Sequence, residues 1–264
     1  MQDPTSPAAA PTAHERYLFD LQGYLVVPGV LDARELATLN GILDERIAAE
    51  VPPDAKAHRF FHRSGALLSW GAPYRALIDH ARIMPYLDAF VGEHVRLDHD
   101  YCDIMRGGHS PIGASLHGGA TPYDPQMAYA HHNGSIRCGL VVVAFNLHDV
   151  NPGDGGFAAV PGSHKANLPF PHEWADLETV HPCVTRVVAP AGSAIIFTEA
   201  MTHGPLPWSA RHERRTLFYK YSPAGMSWAA HYYRSEDYAD LTPRQRALLE
   251  PPNARYPGRL ATAK

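Results

Sequence analysis

Cysteine is scarce in this sequence, and its few copies are not arranged in pairs. The 264 residues include 3 cysteines, which lie far apart and form no CxxC motif. This pattern argues against a zinc ribbon and against a disulfide framework, and it fits the reducing conditions of the cytoplasm. We therefore expect a cytoplasmic protein.

An excess of basic charge and long apolar runs are also lacking. The formal net charge is −4, so the composition does not favour nucleic acid as a partner. No apolar run is long enough to span a membrane, and the first residues lack the basic and apolar regions of a secretory signal. We expect neither a nucleic-acid nor a membrane partner. The sequence leaves the oligomeric state open.

Proline and glycine, by contrast, are plentiful, with 24 and 21 copies spread along the chain. This favours many short elements joined by turns. A capping box at Asp32-Ala33-Arg34-Glu35 and apolar residues at helical spacing predict a helix over 33–49. A second helix is expected over 78–91, and Thr242-Pro243 predicts the start of a third.

Short strands dominate the region between the second and third helices. They are expected over 95–102, 137–147, 157–160, 184–189, 194–197 and 215–221, with one earlier strand over 23–28. This order predicts a mainly β fold with flanking helices (α+β), a jelly roll or cupin-like double-stranded β-helix. We expect a flexible N-terminal tail over 1–14 and a single domain over 15–264, with N-terminal helices and a short C-terminal helix.

Two distant histidines are candidates for metal ligands. His203 follows the apolar strand over 194–197, and His117 precedes two glycines. Alone, each could be a core histidine with both ring nitrogens hydrogen-bonded. With the arginines Arg214 and Arg215 on the next strand, they predict a non-haem iron site that uses 2-oxoglutarate. Imidazoles suit Fe(II), and an arginine fork suits a carboxylate.

Three segments resemble the phytanoyl-CoA dioxygenase-like (PhyH) family of Fe(II)/2-oxoglutarate oxygenases. They are 19–28 (FDLQGYLVVP), 154–165 (DGGFAAVPGSHK) and the residues from Ile196-Phe197 into His203-Gly204. The resemblance implies an enzyme that uses Fe(II), 2-oxoglutarate and O₂. It would hydroxylate an unactivated C–H bond of a small molecule and release succinate. His164, within the second segment, is expected to be structural.

The resemblance also assigns roles to individual residues. His117 and His203 match the catalytic iron histidines, and Arg214 matches the arginine that binds the distal carboxylate of 2-oxoglutarate. Arg215 points to the other face of a strand, so one of the two arginines binds the cosubstrate and Arg214 is preferred.

The iron motif departs from the family pattern of His-x-Asp, because Gly119 stands at the aspartate position. Glu199 or Asp103 could supply the third ligand instead. Alternatively, the position could hold water or chloride, as in the related halogenases, and chloride would then be a further cofactor. A non-catalytic jelly-roll binding protein is a further alternative.

A third interpretation takes His131 as the first iron ligand, with Asn133 at the acid position. It is disfavoured because Asn133-Gly134 is a typical turn pair. The substrate is not readable from the sequence. Side chains that could line its pocket are Phe61, His62, Trp70 and Tyr101. Residues near Asp98 and His99 could orient the cosubstrate or an iron-bound water.

Overall fold

The computed structural model describes residues 10–60, 67–111, 113 and 115–254. Its α-helices are α1 (Ala13–Gln22), α2 (Ala33–Glu50), α3 (Ala72–Arg75), α4 (Met84–Phe90) and α5 (Pro243–Leu248). Its strands are β1 (Tyr24–Val27), β2 (Ala57–Phe60), β3 (Val95–Met105), β4 (Tyr129–His132), β5 (Ser135–Cys138), β6 (Val141–Asn146), β7 (Gly156–Ala159), β8 (Thr185–Arg186), β9 (Ala194–Thr198), β10 (His203–Leu206) and β11 (Arg214–Pro223).

Local sequence determines where the first helices begin. The Asp32 carboxylate accepts from the backbone N–H of Glu35, and the Glu35 carboxylate accepts from that of Asp32, which confirms the predicted capping box of α2. An equivalent box between Thr12 and Glu15 starts α1. Because α1 begins at Ala13, it includes the last two residues of the predicted tail over 1–14. Residues 1–9 of that tail lie outside the described residues.

The larger sheet has the strand order β1-β9-β6-β11-β3-β2, and all its pairings are antiparallel. One face of β6, with Val141 and Val143, packs in the core formed with the helices. The other face, with Val142 and Ala144, packs against the smaller sheet, whose order is β10-β7-β8. The predicted jelly roll with flanking helices is confirmed. Because both faces of β6 are buried, its sequence is apolar at nearly every position.

Three predicted elements differ most from the observed ones. The expected strand over 137–147 is divided at Gly139, where a Cβ would lie 2.5 Å from the backbone oxygen of Gln126. The expected helix over 78–91 begins only at Met84, since Pro85 favours the first turn of a helix. The expected strand over 184–189 is only two residues long as β8.

The polar face of β3 is buried rather than exposed. Asp98 is 1% exposed and accepts hydrogen bonds from the backbone N–H of Trp228 at 2.9 Å and from Arg96 at 3.0 Å. Asp100 accepts from the hydroxyl of Tyr233 at 2.8 Å. Asp98 therefore fastens the C-terminal segment to the sheet, and the expectation that it orients a cosubstrate is wrong.

Among the described residues, no helix combines the length and apolarity needed to cross a membrane.

Two glycines in the turn before β7 provide a matched test of packing. Gly153 and Gly155 both have left-handed backbones, with φ of +92° and +95°. A Cβ at Gly153 would meet nothing within 4 Å, whereas one at Gly155 would overlap the carbonyl oxygen of Pro207 and lie 2.9 Å from its carbon.

We expect Gly153→Ala to lower the free energy of unfolding by about 1 kcal/mol, from backbone strain alone. Gly155→Ala should lower it by about 1–3 kcal/mol more, because overpacking adds to the same strain. Urea denaturation of both variants measures the difference. Equal losses would mean that the turn does not pack against the Pro207 carbonyl.

Candidate active site

A backbone bridge joins the two candidate histidines. The N–H of His117 donates to the carbonyl of His203 at 2.9 Å, and the N–H of His203 donates to the carbonyl of His117 at 2.8 Å. Their ring centroids are 4.4 Å apart. His203 does not end β9 as expected; it begins β10, after a tight turn over 199–202. The structure therefore brings together two histidines that are far apart in the sequence.

The His203 ring is held in one tautomer. Its Nδ1 donates a hydrogen bond to the carbonyl of Met201 at 2.7 Å, which leaves the Nε2 lone pair facing the cavity. Burial lowers the pKa of His203 to about 4, and burial also lowers the pKa of His117. Both imidazoles are therefore neutral near pH 7, which is the form that binds a metal ion.

Glu199 lies beside this pair and forms an ion pair with Lys220. One carboxylate oxygen accepts from the Lys220 ammonium group, and the other lies 3.9 Å from Nε2 of His203. Burial raises the pKa of Glu199, but the charge of Lys220 and its hydrogen bond outweigh this effect, and the pKa is lowered to about 2. The site therefore contains a buried, ionised carboxylate next to two neutral imidazoles.

A cavity opens between the two sheets at this point. Its walls include both histidines, Arg214, and an aromatic group from three strands. The aromatic side chains are Phe157, Phe197 and Phe218, and Tyr101 also lines the cavity, as predicted.

Arg214 is buried in this cavity without a carboxylate partner among the described residues. The residue is 3% exposed, its Nε has no hydrogen-bond partner, and its terminal nitrogen reaches only the sulfur of Met105 at 3.5 Å. Burial lowers the pKa of its guanidinium group. An unpaired buried cation is energetically unfavourable, so this position calls for an anion.

Arg215 has the opposite environment. It lies outside the cavity, 2.7 Å from carboxylate oxygens of both Asp44 and Glu213. It also donates to the side chain of Asn40 in α2 at 3.0 Å. Strand alternation separates the two arginines as expected, and the geometry favours Arg214 over Arg215 as the anion-binding residue.

Asp103, a candidate third ligand, also lines the cavity. Both of its oxygens accept from Arg59, at 2.6 Å from Nε and 2.5 Å from a terminal nitrogen. The Arg59 guanidinium group lies 4.2 Å from the centroid of the Tyr101 ring. The carboxylate of Asp103 is thus committed to Arg59.

Three other histidines are not among the residues that line the cavity. His131 is exposed in the β4–β5 hairpin, where Asn133 and Gly134 form the turn with positive φ. His164 is buried and donates to the carbonyl of Asp20 at 3.0 Å, in keeping with a structural role. His99 stacks on Trp228 with 5.0 Å between ring centroids.

Three further side chains were predicted to line the substrate pocket. Trp70 packs edge-on against Phe60 and Tyr74 in the core. Phe61 and His62 lie outside the described residues.

Within the described part of the chain, no group of three or more histidine, cysteine or carboxylate side chains is already arranged to hold a metal ion.

Two site residues were missed by the sequence analysis. Lys220 lies six positions after Arg214 on β11, and strand alternation places the two side chains on the same face. Arg59 lies in β2, which pairs with β3, and no strand was predicted there. The alternation of β11 was the signal that could have identified Lys220.

Comparison with known proteins identifies the class to which this site belongs. The model of the phytanoyl-CoA dioxygenase (PhyH) family matches residues 19–216. The chain therefore belongs to the phytanoyl-CoA dioxygenase family, as its motifs predicted. No curated protein sequence matches it significantly.

Solved structures extend the comparison. HygX from Streptomyces hygroscopicus, with nickel and 2-oxoglutarate bound, is 26% identical with a TM-score of 0.73, over 83% of this chain and 89% of HygX. HygX with nickel, 2-oxoglutarate and hygromycin B bound is 25% identical with a TM-score of 0.70, over 82% and 89%. The α-ketoglutarate-dependent epimerase SnoN from nogalamycin biosynthesis is 23% identical with a TM-score of 0.51, over 79% and 81%, which shows a shared fold.

Family membership and the likeness to HygX confirm the prediction of an Fe(II)/2-oxoglutarate-dependent enzyme. The alternative of a non-catalytic binding protein is accordingly disfavoured. The family match does not extend to the assignment of individual ligands or to chloride, so those remain predictions.

The buried Glu199–Lys220 pair generates a stability prediction. The two side chains are 7% and 11% exposed, so Lys220→Met would leave an uncompensated buried carboxylate. We expect the free energy of unfolding to fall by about 3–5 kcal/mol, as for other broken buried pairs. Urea denaturation measures this loss.

Two further variants serve as controls for this experiment. Adding Glu199→Gln to Lys220→Met should restore part of the stability, because it removes the unpaired charge. Arg46→Met breaks the exposed Arg46–Glu50 pair and should lower stability by less than about 1 kcal/mol. If Lys220→Met lowered the free energy of unfolding as little as Arg46→Met does, the result would contradict a buried ion pair between Glu199 and Lys220.

Proposed function

We propose that the protein is an oxygenase that hydroxylates an unactivated C–H bond of a small molecule, using Fe(II), O₂ and 2-oxoglutarate. His117 and His203 act as iron ligands, and Arg214 binds 2-oxoglutarate. The observation that carries this assignment is the buried Arg214 guanidinium group, which has no carboxylate partner among the described residues and shares a cavity with both histidines.

The side chains around the cavity suit both cofactors. Two neutral imidazoles, one with its tautomer fixed by the Met201 carbonyl, are ligands typical of non-haem Fe(II). A planar guanidinium group can form two parallel hydrogen bonds with the distal carboxylate of an oxo-acid. The cosubstrate would also supply the negative charge that Arg214 lacks.

When bound, iron and 2-oxoglutarate together activate dioxygen, and 2-oxoglutarate is decarboxylated to succinate. The protein's own residues hold and orient these groups. His117 and His203 donate ring nitrogens to the metal, and Arg214 fixes the far end of the cosubstrate. The aromatic side chains of Phe157, Phe197 and Phe218 give the cavity an apolar wall, and an apolar wall that keeps water out would limit side reactions.

The proposed substrate is a small molecule of unspecified identity. HygX, the neighbour at 25–26% identity, has been crystallised with hygromycin B, a small molecule. Halogenation, the alternative based on Gly119, remains a prediction that no contact among the described residues favours. A cytoplasmic location and a single domain over 15–264 also remain predictions.

Arg214→Ala should weaken 2-oxoglutarate binding by about 30-fold or more, because truncating one partner of a buried charge pair costs about 2 kcal/mol or more. The apparent KM for 2-oxoglutarate in a succinate-formation assay measures this. Arg215→Ala is the matched control and should leave that KM within about 2-fold, although it lowers stability. The reverse result would mean that Arg215 is the cosubstrate ligand.

His203→Ala should abolish Fe(II)-dependent succinate formation, because it removes one of the two imidazole ligands. His131→Ala, in the exposed hairpin, should retain the activity of the unmodified protein. Both are measured with saturating Fe(II) and 2-oxoglutarate under air. Full turnover by His203→Ala would exclude it as an iron ligand.

A further inference from the structure

We infer that Glu199 supplies the third protein ligand of the metal, from the turn before His203 instead of from the His-x-Asp position. This inference rests on the proposed function, because it concerns the same iron site. The site would then hold two histidines and one carboxylate, the ligand set of many non-haem Fe(II) enzymes.

The backbone after His117 cannot readily present an aspartate. Gly118 and Gly119 both have left-handed conformations, with φ of +79° and +116°. A Cβ at Gly118 would lie 2.6 Å from the Met201 carbonyl oxygen and 2.9 Å from that of Glu199. The glycines therefore allow residues 117–119 to pack directly on the turn over 199–202.

This close packing brings Glu199 to the metal-binding histidines. His117 is bridged to His203 by backbone hydrogen bonds, and Glu199 stands four residues before His203 in the turn that the glycines contact. Its carboxylate points towards the His203 ring rather than towards solvent, since the side chain is 7% exposed. Gly118, next to the position where the family has its aspartate, therefore lets the turn that carries Glu199 pack beside His117.

The spacing of the donor atoms suits a shared cation. Oε2 of Glu199 and Nε2 of His203 are 3.9 Å apart, too far for a hydrogen bond. Because Nδ1 of His203 already donates to Met201, both facing atoms carry lone pairs. Two ligands that each bond one metal ion at about 2.1 Å are at most about 4.2 Å apart, so 3.9 Å is within reach of one cation, although the three side chains would have to move closer to complete the site.

The ion pairs formed by Glu199 and Asp103 favour Glu199 over Asp103 as the third metal ligand. Lys220 occupies one oxygen of Glu199 and leaves the other facing His203. Arg59 occupies both oxygens of Asp103. Glu199 can therefore act as a ligand through one oxygen while it keeps its ion pair, whereas Asp103 would have to break a bidentate one.

The test is anaerobic calorimetric titration of the purified protein with Fe(II) alone. We expect Glu199→Gln to raise the Kd for Fe(II) by more than about 100-fold, beyond the 10–100-fold typical of a residue that only orients a ligand. Asp103→Asn should stay within about 10-fold of the unmodified protein. His203→Ala is the reference for loss of a ligand.

Folding is controlled with a second variant. Glu199→Gln/Lys220→Met removes both charges, so it leaves no unpaired ammonium group, and it should lose Fe(II) affinity as strongly as Glu199→Gln. Circular dichroism of each variant checks that it is folded at the titration temperature. A folded double variant with unchanged Fe(II) affinity would overturn the inference.

The outcomes separate this inference from the proposed function. Unchanged Fe(II) affinity in Glu199→Gln, or a larger loss in Asp103→Asn, would overturn the role of Glu199 and leave the oxygenase assignment intact. Failure of the unmodified protein to bind both Fe(II) and 2-oxoglutarate would instead contradict the proposed function itself.

Discussion

The backbone bridge between His117 and His203 is the constraint on which the candidate active site depends. Its two hydrogen bonds hold together two residues that are far apart in the sequence, and so set the separation of their rings. The cavity, the turn over 199–202 and the strand β10 are all positioned relative to this bridge. Because the bridge is made by backbone atoms, the ring positions follow from the fold itself.

Charge is distributed unevenly around this bridge. Arg59 and Lys220 each have a carboxylate partner within the described residues, whereas Arg214 has none. An anion that pairs with Arg214 therefore removes an unfavourable buried charge as well as adding contacts. A ligand that binds the folded state in this way also shifts the unfolding equilibrium towards that state. The protein's stability and its cosubstrate are thus linked through one side chain.

Patterns that act over short distances in sequence were readable without a structure. The capping box at Asp32, the turn at Asn133-Gly134 and the opposite facing of Arg214 and Arg215 all follow from local geometry. The jelly-roll class followed from the order of helices and strands.

Features that depend on distant segments were not readable. The buried polar face of β3 requires the C-terminal segment that donates to Asp98, and nothing near Asp98 in sequence indicates it. The role of Gly118 likewise became visible only with its contact to the turn over 199–202. Lys220 was readable only in part. The alternation of β11 predicts which face of the sheet carries its side chain, but it does not predict that Glu199 is its partner.

The pairing of β1 with β9 has a consequence for how the chain acquires its structure. Tyr24 lies opposite Phe197, so an edge of the large sheet is completed by a segment about 170 positions later in the chain. During synthesis, β1 must emerge from the ribosome long before its partner exists. Until β9 is made, the apolar side chains Leu25 and Val27 are available to wrong partners, as is the unpaired strand edge. The N-terminal helices, whose capping is local, can form in that interval and cover part of this surface.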